Sequence, residues 1–367
     1  MSTGAAAVFV GVVLGRLLLP LLILRHPLPA IIGCLVLDGV DQTIFQLFGY
    51  DPPGYQSYDK AMDVFYLAIA YLATMRNWTS LDAFRVSRVL YFYRLVGVVL
   101  FELTHARSLL LLFPNTFEYF FIAYEAIRSR WSPRRISLVG WVIVAAAIWV
   151  VIKLPQEYWL HVAQLDVTDT LAEFAWAPPL LVAMIAALGA GFWWGVRPRL
   201  PQTQWPWRLT ADPLPEQMDT AEEQYAWHAQ WGSLRTWATV EKVVLVGLLA
   251  VVFSETLPGV RATQLQVFIG VGVVVLVNAV FTLVQSRRGN AIASLGAAFV
   301  VRLLANIALV TIADWLLRRE GGDIDQLDTL FFLSLISLIT TLHDRYRPIL
   351  AVRVVAEREE RAHASTT

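Results

Sequence analysis

The sequence predicts an all-α integral membrane protein, a polytopic bundle of about eleven transmembrane helices with the N-terminus outside and the C-terminus in the cytoplasm. Three observations predict it. Of 367 residues, 57% are hydrophobic and 16% charged, whereas a soluble domain carries about 25% charged residues. The apolar residues come in runs close to the ~20 that a helix needs to cross the hydrocarbon core. Basic residues concentrate in alternate connections between those runs. An open sheet is excluded at this depth, because its unpaired backbone groups would find no water.

Taken in order, the runs are 5–25, 29–48, 60–76, 87–104, 108–128, 136–153, 178–196, 238–257, 264–285, 291–317 and 327–343. The first lacks the basic n-region of a signal peptide and is expected to stay as a span. With the N-terminus outside, the cytoplasmic connections hold Arg25; Arg76, Arg85, Arg88; Arg128, Arg130, Arg134, Arg135; Arg197, Arg199, Arg208, Arg235, Lys242; Arg287, Arg288; and Arg345, Arg347, Arg353, Arg358, Arg361, which is 20. The outer connections hold Lys60, Arg107, Lys153, Arg261, Arg318 and Arg319, which is 6. Arg16, Arg94 and Arg302 fall inside spans and complete the 29 basic residues. Such an asymmetry is what the positive-inside rule demands. The expectation is a multi-pass protein of the cell membrane, with a transmembrane domain over 1–353 and a polar cytoplasmic tail over 354–367.

Two connections are more than turns. Residues 154–177 read as an amphipathic, acidic outer segment. Residues 197–237 read as a cytoplasmic segment whose Trp205, Trp207, Trp227, Trp231 and Trp237 favour the membrane surface. Membrane lipids are therefore the expected partners. A net charge of zero gives no field to attract nucleic acid. The single Cys34 excludes an intramolecular disulfide and a Cys-based metal site, and reads as a small buried apolar residue.

Charges inside spans are costly and face the bundle interior. They come here in three groups. In the first, Asp38 and Asp41 share a face of the second span, and Asp59 and Asp63 share a face where the third begins. The sequence GYDPPG between them breaks the helix and folds the two acidic faces together. Four such carboxylates repel unless protonated, paired with a base such as Lys60 or Arg94, or holding a hard cation, Mg²⁺ or Mn²⁺. In the second, Arg94 and Glu102 share a face of the fourth span. Pro114 interrupts the next run, leaving 108–113 irregular, and Asn115 with Glu118 has the spacing of a helix cap, so a helix starts near Thr116. A helix N-terminus at membrane depth is a feature of transporter sites. Glu118 and Glu125 then line one face. In the third, Arg302, Asn306 and Asp314 form a stripe on the tenth span, where Arg302 needs an acid, Asp314 or one from the early spans. Asn278, Thr282 and Gln285 read as interhelical glue, and Gly191 with Gly195 as a packing pair.

The spacing of the four aspartates resembles the CDP-alcohol phosphotransferase signature, D-x2-D-G-x2-A-R-x8-G-x3-D-x3-D. The resemblance spans 38–63, 26 residues of 367. It implies metal ligation by Asp38, Asp41 and Asp59 and a general-base role for Asp63. The family's small residues, which make room for its nucleotide, are replaced by Gln42, Phe45 and Tyr55, and its Arg by Gln46. No P-loop, dinucleotide glycine fingerprint, HExxH or GxSxG is present.

Three functions fit these patterns. Transport or permeation of a small or ionic substrate would use Arg94, Glu102, Asn115, Glu118, Arg302 and Asp314 along the pathway. A divalent-metal-dependent transferase acting on a lipid or polyprenyl substrate would use the aspartate quartet. A membrane scaffold would use the charges only as ion pairs.

Overall fold

The computed structural model describes residues 3–48, 55–106, 108–158, 173–256, 264–289, 294–317 and 326–366, together with residues 170 and 292. Among these residues the fold is all-helical. Helix α1 (Thr3–Leu18) tightens into a 3₁₀ stretch, Leu19–Leu24, at Pro20. Pro27 opens α2 (Pro27–Leu47), where its missing N–H is no loss. Helix α3 (Tyr55–Asn77) is the central one, and every residue from Val64 to Met75 is buried. That stretch is apolar nearly all round, the pattern of a core helix, and α3 packs against α1, α2 and α4 (Leu81–Thr104).

Helices α5 (Ser108–Leu112) and α6 (Thr116–Arg128) follow. Helix α7 (Leu138–Glu157) passes through a π-helical stretch at Ile148–Lys153. Helix α8 (Ala177–Arg199) does so at Gly191–Val196. The short α9 (Ala221–Trp231) starts at a capping box between Thr220 and Glu223. It lies across α11 (Gln264–Arg287), which pairs with α10 (Trp237–Thr256). Helix α12 (Leu295–Leu317) packs on α13 (Gln326–Thr366). The latter has 41 residues, so it is about 60 Å long. It carries the last apolar run and continues without a break through 354–366, the stretch that reads as a polar tail. Helices α10 and α13 complete the packing around α3.

Among the described residues, six stretches are long and apolar enough to cross a membrane: Ala7–Leu24, Pro27–Leu47, Leu138–Glu157, Ala177–Arg199, Trp237–Glu255 and Gln264–Arg287. Helices α3, α4 and α13 also exceed 20 residues and carry charges at the interior sites described below. The run 108–128 is not one helix. It is two, of 5 and 13 residues, because Pro114 has no N–H to continue a helix. The irregular part is 113–115 rather than 108–113. Helix α6 starts at Thr116 as the spacing predicts, with the Asn115 side chain accepting from the Glu118 N–H at 3.4 Å.

This break sits midway along α4. The Tyr93 hydroxyl donates to the Leu112 carbonyl at 2.7 Å, and Arg94 donates to the Phe113 carbonyl at 2.9 Å. Gly97 makes the approach possible, since a Cβ there would lie 2.1 Å from the Cβ of Phe113.

The connections lace one end of the bundle together. Arg76 donates to the Leu24 carbonyl at 2.9 Å, and Ala211 N–H to that of Arg25 at 2.8 Å. The segment after α8 lies along residues 128–130, with Arg208 N–H on Ser129 O, Gln204 N–H on Arg130 O and the Trp205 indole on Arg128 O. Arg353 donates to Trp78 O at 2.9 Å. Trp207, Trp231 and Trp237 are exposed at this end. The expected acidic outer segment lies largely outside the described residues.

Candidate functional site

The aspartates do converge, and what they converge on is Arg16. Helix α2 presents Asp38 and Asp41 one turn apart, and α3 presents Asp59 and Asp63. The Arg16 guanidinium of α1 reaches all four. One nitrogen binds Asp41 and, at 2.5 Å, Asp59. The other binds Asp38 and Asp63, each at 2.5 Å. Arg16 and Asp41 are buried, with side chains 4% and 1% exposed, while Asp38, Asp59 and Asp63 are 27%, 32% and 36% exposed. The cluster is therefore closed on one side and open on the other.

Among the described residues its charge does not balance. One guanidinium offsets one of four carboxylates and leaves a surplus of three negative charges if all are ionised. Two like charges 4 Å apart repel by about 4 kcal/mol at an effective dielectric of 20. Such a cluster recruits protons or a cation. One carboxylate oxygen from each of Asp38, Asp41 and Asp59 lies within 4.8 Å of the others. Ligands held at about 2.0 to 2.6 Å span at most about 5 Å across an ion. The donor chemistry fits a hard divalent ion, which would share the site with the guanidinium.

The bases expected there go elsewhere. Lys60 pairs with Glu102 at 3.2 Å and lies 4.6 Å from the Phe101 ring centre. So Glu102 does not meet Arg94, although both stand on α4. Among the described residues Arg94 has no carboxylate within salt-bridge distance. It binds the carbonyl of Phe113 where α5 ends, supplying a donor that the broken helix cannot.

One turn beyond Asp63 on α3, Tyr66 donates its hydroxyl to Glu118. The other Glu118 oxygen accepts from the Asn115 amide at 2.9 Å. Glu118 is buried at the helix break, so the polar network continues inward from the quartet to the start of α6. Lys153, counted above in an outer connection, is instead buried at the end of the π-helical stretch of α7. It pairs with Glu157 at 3.5 Å and lies over the Tyr119 ring. Two turns deeper on α6, Glu125 accepts from the Trp78 indole at 2.8 Å and from Arg128 at 2.6 Å, and Arg128 also holds Asp212 at 3.0 Å.

The third group forms a second cluster at the laced end. Arg302 donates to Asp344 and to the Thr282 hydroxyl, both at 2.8 Å. The acid it meets among the described residues is thus on α13 and is not one of the early aspartates. The Asp314 side chain lies outside the described residues. Lys242 shares Asp344 at 2.6 Å. Asn278 donates to Asn306 at 2.6 Å and Asn306 to Ser337 at 2.8 Å, so these amides tie α11, α12 and α13 together. A Cβ on Gly191 or Gly195 would meet nothing within 4 Å, so this pair packs against no described neighbour.

Sequence reasoning passed over Arg16, Lys242 and Asp344. Arg16 carried a signal, as the one charge in the interior of the first apolar run. The other two read as flanking charges of their spans. Compared with protein-family models, curated proteins and solved structures, the chain matches none. The resemblance to the CDP-alcohol phosphotransferases therefore rests on residues 38–63 alone.

Proposed function

We propose that this chain is a multi-pass protein of the cell membrane that moves a cation, or a small solute coupled to one, through the bundle interior. The observation that carries this is the surplus negative charge of Asp38, Asp41, Asp59 and Asp63 around the single Arg16. Such a site holds protons or a cation at rest and exchanges them as its occupancy changes. Glu118, beside the break between α5 and α6, is the next station inward. Interrupted helices and buried acids that alternate with hydroxyl and amide groups are the furniture of transport pathways. Arg94 keeps the break open by holding the end of α5. Arg302 and Asn306 brace the inner half of the bundle.

The direct test is flux. Reconstituted vesicles with a trapped pH dye, or with calcein to report Mn²⁺, should show uptake driven by an imposed membrane potential. Asp63→Asn should abolish uptake and leave the fold intact. Equal flux in wild type and variant removes the quartet from the pathway.

A second reading has its own support. The carboxylate oxygens within 4.8 Å of one another suit Mg²⁺ or Mn²⁺ in a transferase acting on a lipid or polyprenyl substrate. In that chemistry the ion would polarise a phosphoryl oxygen. Asp38, Asp41 and Asp59 would hold it, and Asp63 would take the acceptor's proton. Either ion should raise the melting temperature with concentration, and Asp59→Asn should abolish the rise. Cation binding without any flux favours the transferase, and flux favours transport.

Both readings share one topology, eleven passes with the N-terminus outside. The lacing supports it, because residues 24–25, 76–78, 128–130, 204–211 and 353 hydrogen-bond to one another at one end. These are connections that alternate along the chain. Cysteines placed at Ser132 and Thr367 should both be labelled only from the cytoplasmic side. Labelling from opposite sides would break the count.

A further inference from the structure

A cavity of about 170 Å³ lies at the laced end, enclosed by α9, the first turns of α10, α11 and α13. It is remote in sequence from the aspartate quartet and uses none of its residues. Its wall begins with the tight return from α9 into α10. Gly232 permits that return, since a Cβ there would lie 2.3 Å from the His228 carbonyl oxygen. The return brings the hydroxyl residues Ser233, Thr236 and Thr239 into the wall, at the N-terminus of the 20-residue α10. Thr236 accepts from the Thr239 N–H at 3.3 Å. A helix start carries about half a positive charge.

The fixed charges around the cavity are mostly basic. Lys242 and Arg347 line it, and Arg302 stands behind Asp344. Asp344 is the carboxylate in the wall, and Lys242 and Arg302 already hold it at 2.6 and 2.8 Å. Three cations against one anion leave two positive charges. His228 adds none, since its Nε2–H donates to the Asp344 carbonyl at 2.8 Å and burial lowers its pKa below the usual imidazole range.

The decisive feature is His343. It is 2% exposed and lines the cavity, yet neither ring nitrogen has a hydrogen-bond partner among the described residues. The Asp344 carboxylate stops 3.9 Å from its Nδ1. A buried polar group left unsatisfied is rare and costly, and a ligand oxygen in the cavity would satisfy it.

We propose that this cavity binds a phosphate group. Hydroxyls, an ammonium, a guanidinium, an imidazole and a helix N-terminus face it from several sides. A tetrahedral oxyanion has oxygens for all of them, whereas a planar carboxylate would leave some unmet. Trp231 in the wall and exposed Trp237 beside it mark the level of lipid headgroups. The phosphate belongs either to a soluble molecule or to an anionic lipid, and both present the same chemistry.

The test uses the full chain in phosphatidylcholine nanodiscs. Inorganic phosphate is titrated by calorimetry and by melting temperature, and a parallel set of discs carries phosphatidic acid. Arg347→Gln removes a lining cation that has no ion pair among the described residues. It should weaken binding about tenfold, the usual worth of one charge-assisted hydrogen bond. His343→Leu should weaken binding as well. It should also raise the melting temperature of the ligand-free protein, because it removes two unsatisfied nitrogens. A purely structural histidine would not give those opposite signs. Stabilisation by phosphate identifies a soluble ligand, and stabilisation by phosphatidic acid alone identifies a lipid. Stabilisation by neither, or stabilisation undiminished in both variants, overturns the proposal.

Discussion

Arg16→Met is expected to leave little folded protein at neutral pH. Removing one partner of a buried ion pair costs about 3–5 kcal/mol, because the other charge stays behind without compensation. Here one substitution strands four carboxylates, Asp41 among them at 1% exposure. The total stability of a folded domain is about 5–15 kcal/mol, so the loss takes a large part of it. Yield and melting temperature by fluorescence-detected size-exclusion chromatography measure the effect. Two rescues follow from the same electrostatics. Asp59→Asn with Asp63→Asn, added to Arg16→Met, removes half of the stranded charge and should restore much of the yield. Millimolar Mg²⁺ should do so in Arg16→Met alone, by supplying the charge that the guanidinium supplied. A melting temperature unchanged in Arg16→Met would show that the aspartates are held apart by other means.

The sequence carried the periodic part of this molecule. Spacing of three and four along a helix placed Asp38 with Asp41 and Asp59 with Asp63, while the expected Pro-Pro-Gly turn between the two pairs lies outside the described residues. The proline at 114 and the cap spacing of Asn115 and Glu118 located the start of α6. All of these are local signals, decided within a few residues. What the sequence withheld is which distant charge meets which. Arg16 is 47 residues from Asp63, and Lys60 and Arg94 looked equally able to reach the quartet. Only helix packing decides, by turning Lys60 toward Glu102 and Arg94 toward the broken end of α5. Arg302 shows the same limit. The Asp314 side chain lies outside the described residues, and the acid that meets Arg302 among them is Asp344, which approaches from α13.

Burial was legible in one helix and not in others. The stretch from Val64 to Met75 is apolar nearly all round and is buried throughout. Ala177–Arg199 is equally apolar, yet the residues described along it are almost all exposed. Composition says that both prefer not to face water. It does not say whether protein or lipid tails cover them, since to an apolar side chain the two are nearly the same solvent.

The second large effect is expected at Asp344. Its carboxylate accepts from Lys242 at 2.6 Å and from Arg302 at 2.8 Å, and the Thr282 hydroxyl lies 3.4 Å away. Asp344→Leu strands two buried cations at once and should cost about 3–5 kcal/mol, the price of breaking a buried ion pair. Arg302→Leu removes only one of the two and leaves Asp344 paired with Lys242, so its cost should be clearly smaller. In the double variant Asp344→Leu with Arg302→Leu, only Lys242 lacks its acid. Lysine has a long flexible stem that can carry its ammonium out to water. The double variant should therefore be more stable than Asp344→Leu alone, a reversal that independent sites cannot produce. A double-mutant cycle on melting temperatures and denaturant midpoints should give a coupling of about 1–3 kcal/mol. If Arg302→Leu proves the more damaging single change, or if the two losses simply add, Asp344 does not join the two cations. Helices α10, α12 and α13 would then be held at that level by packing and by the Asn278–Asn306–Ser337 chain.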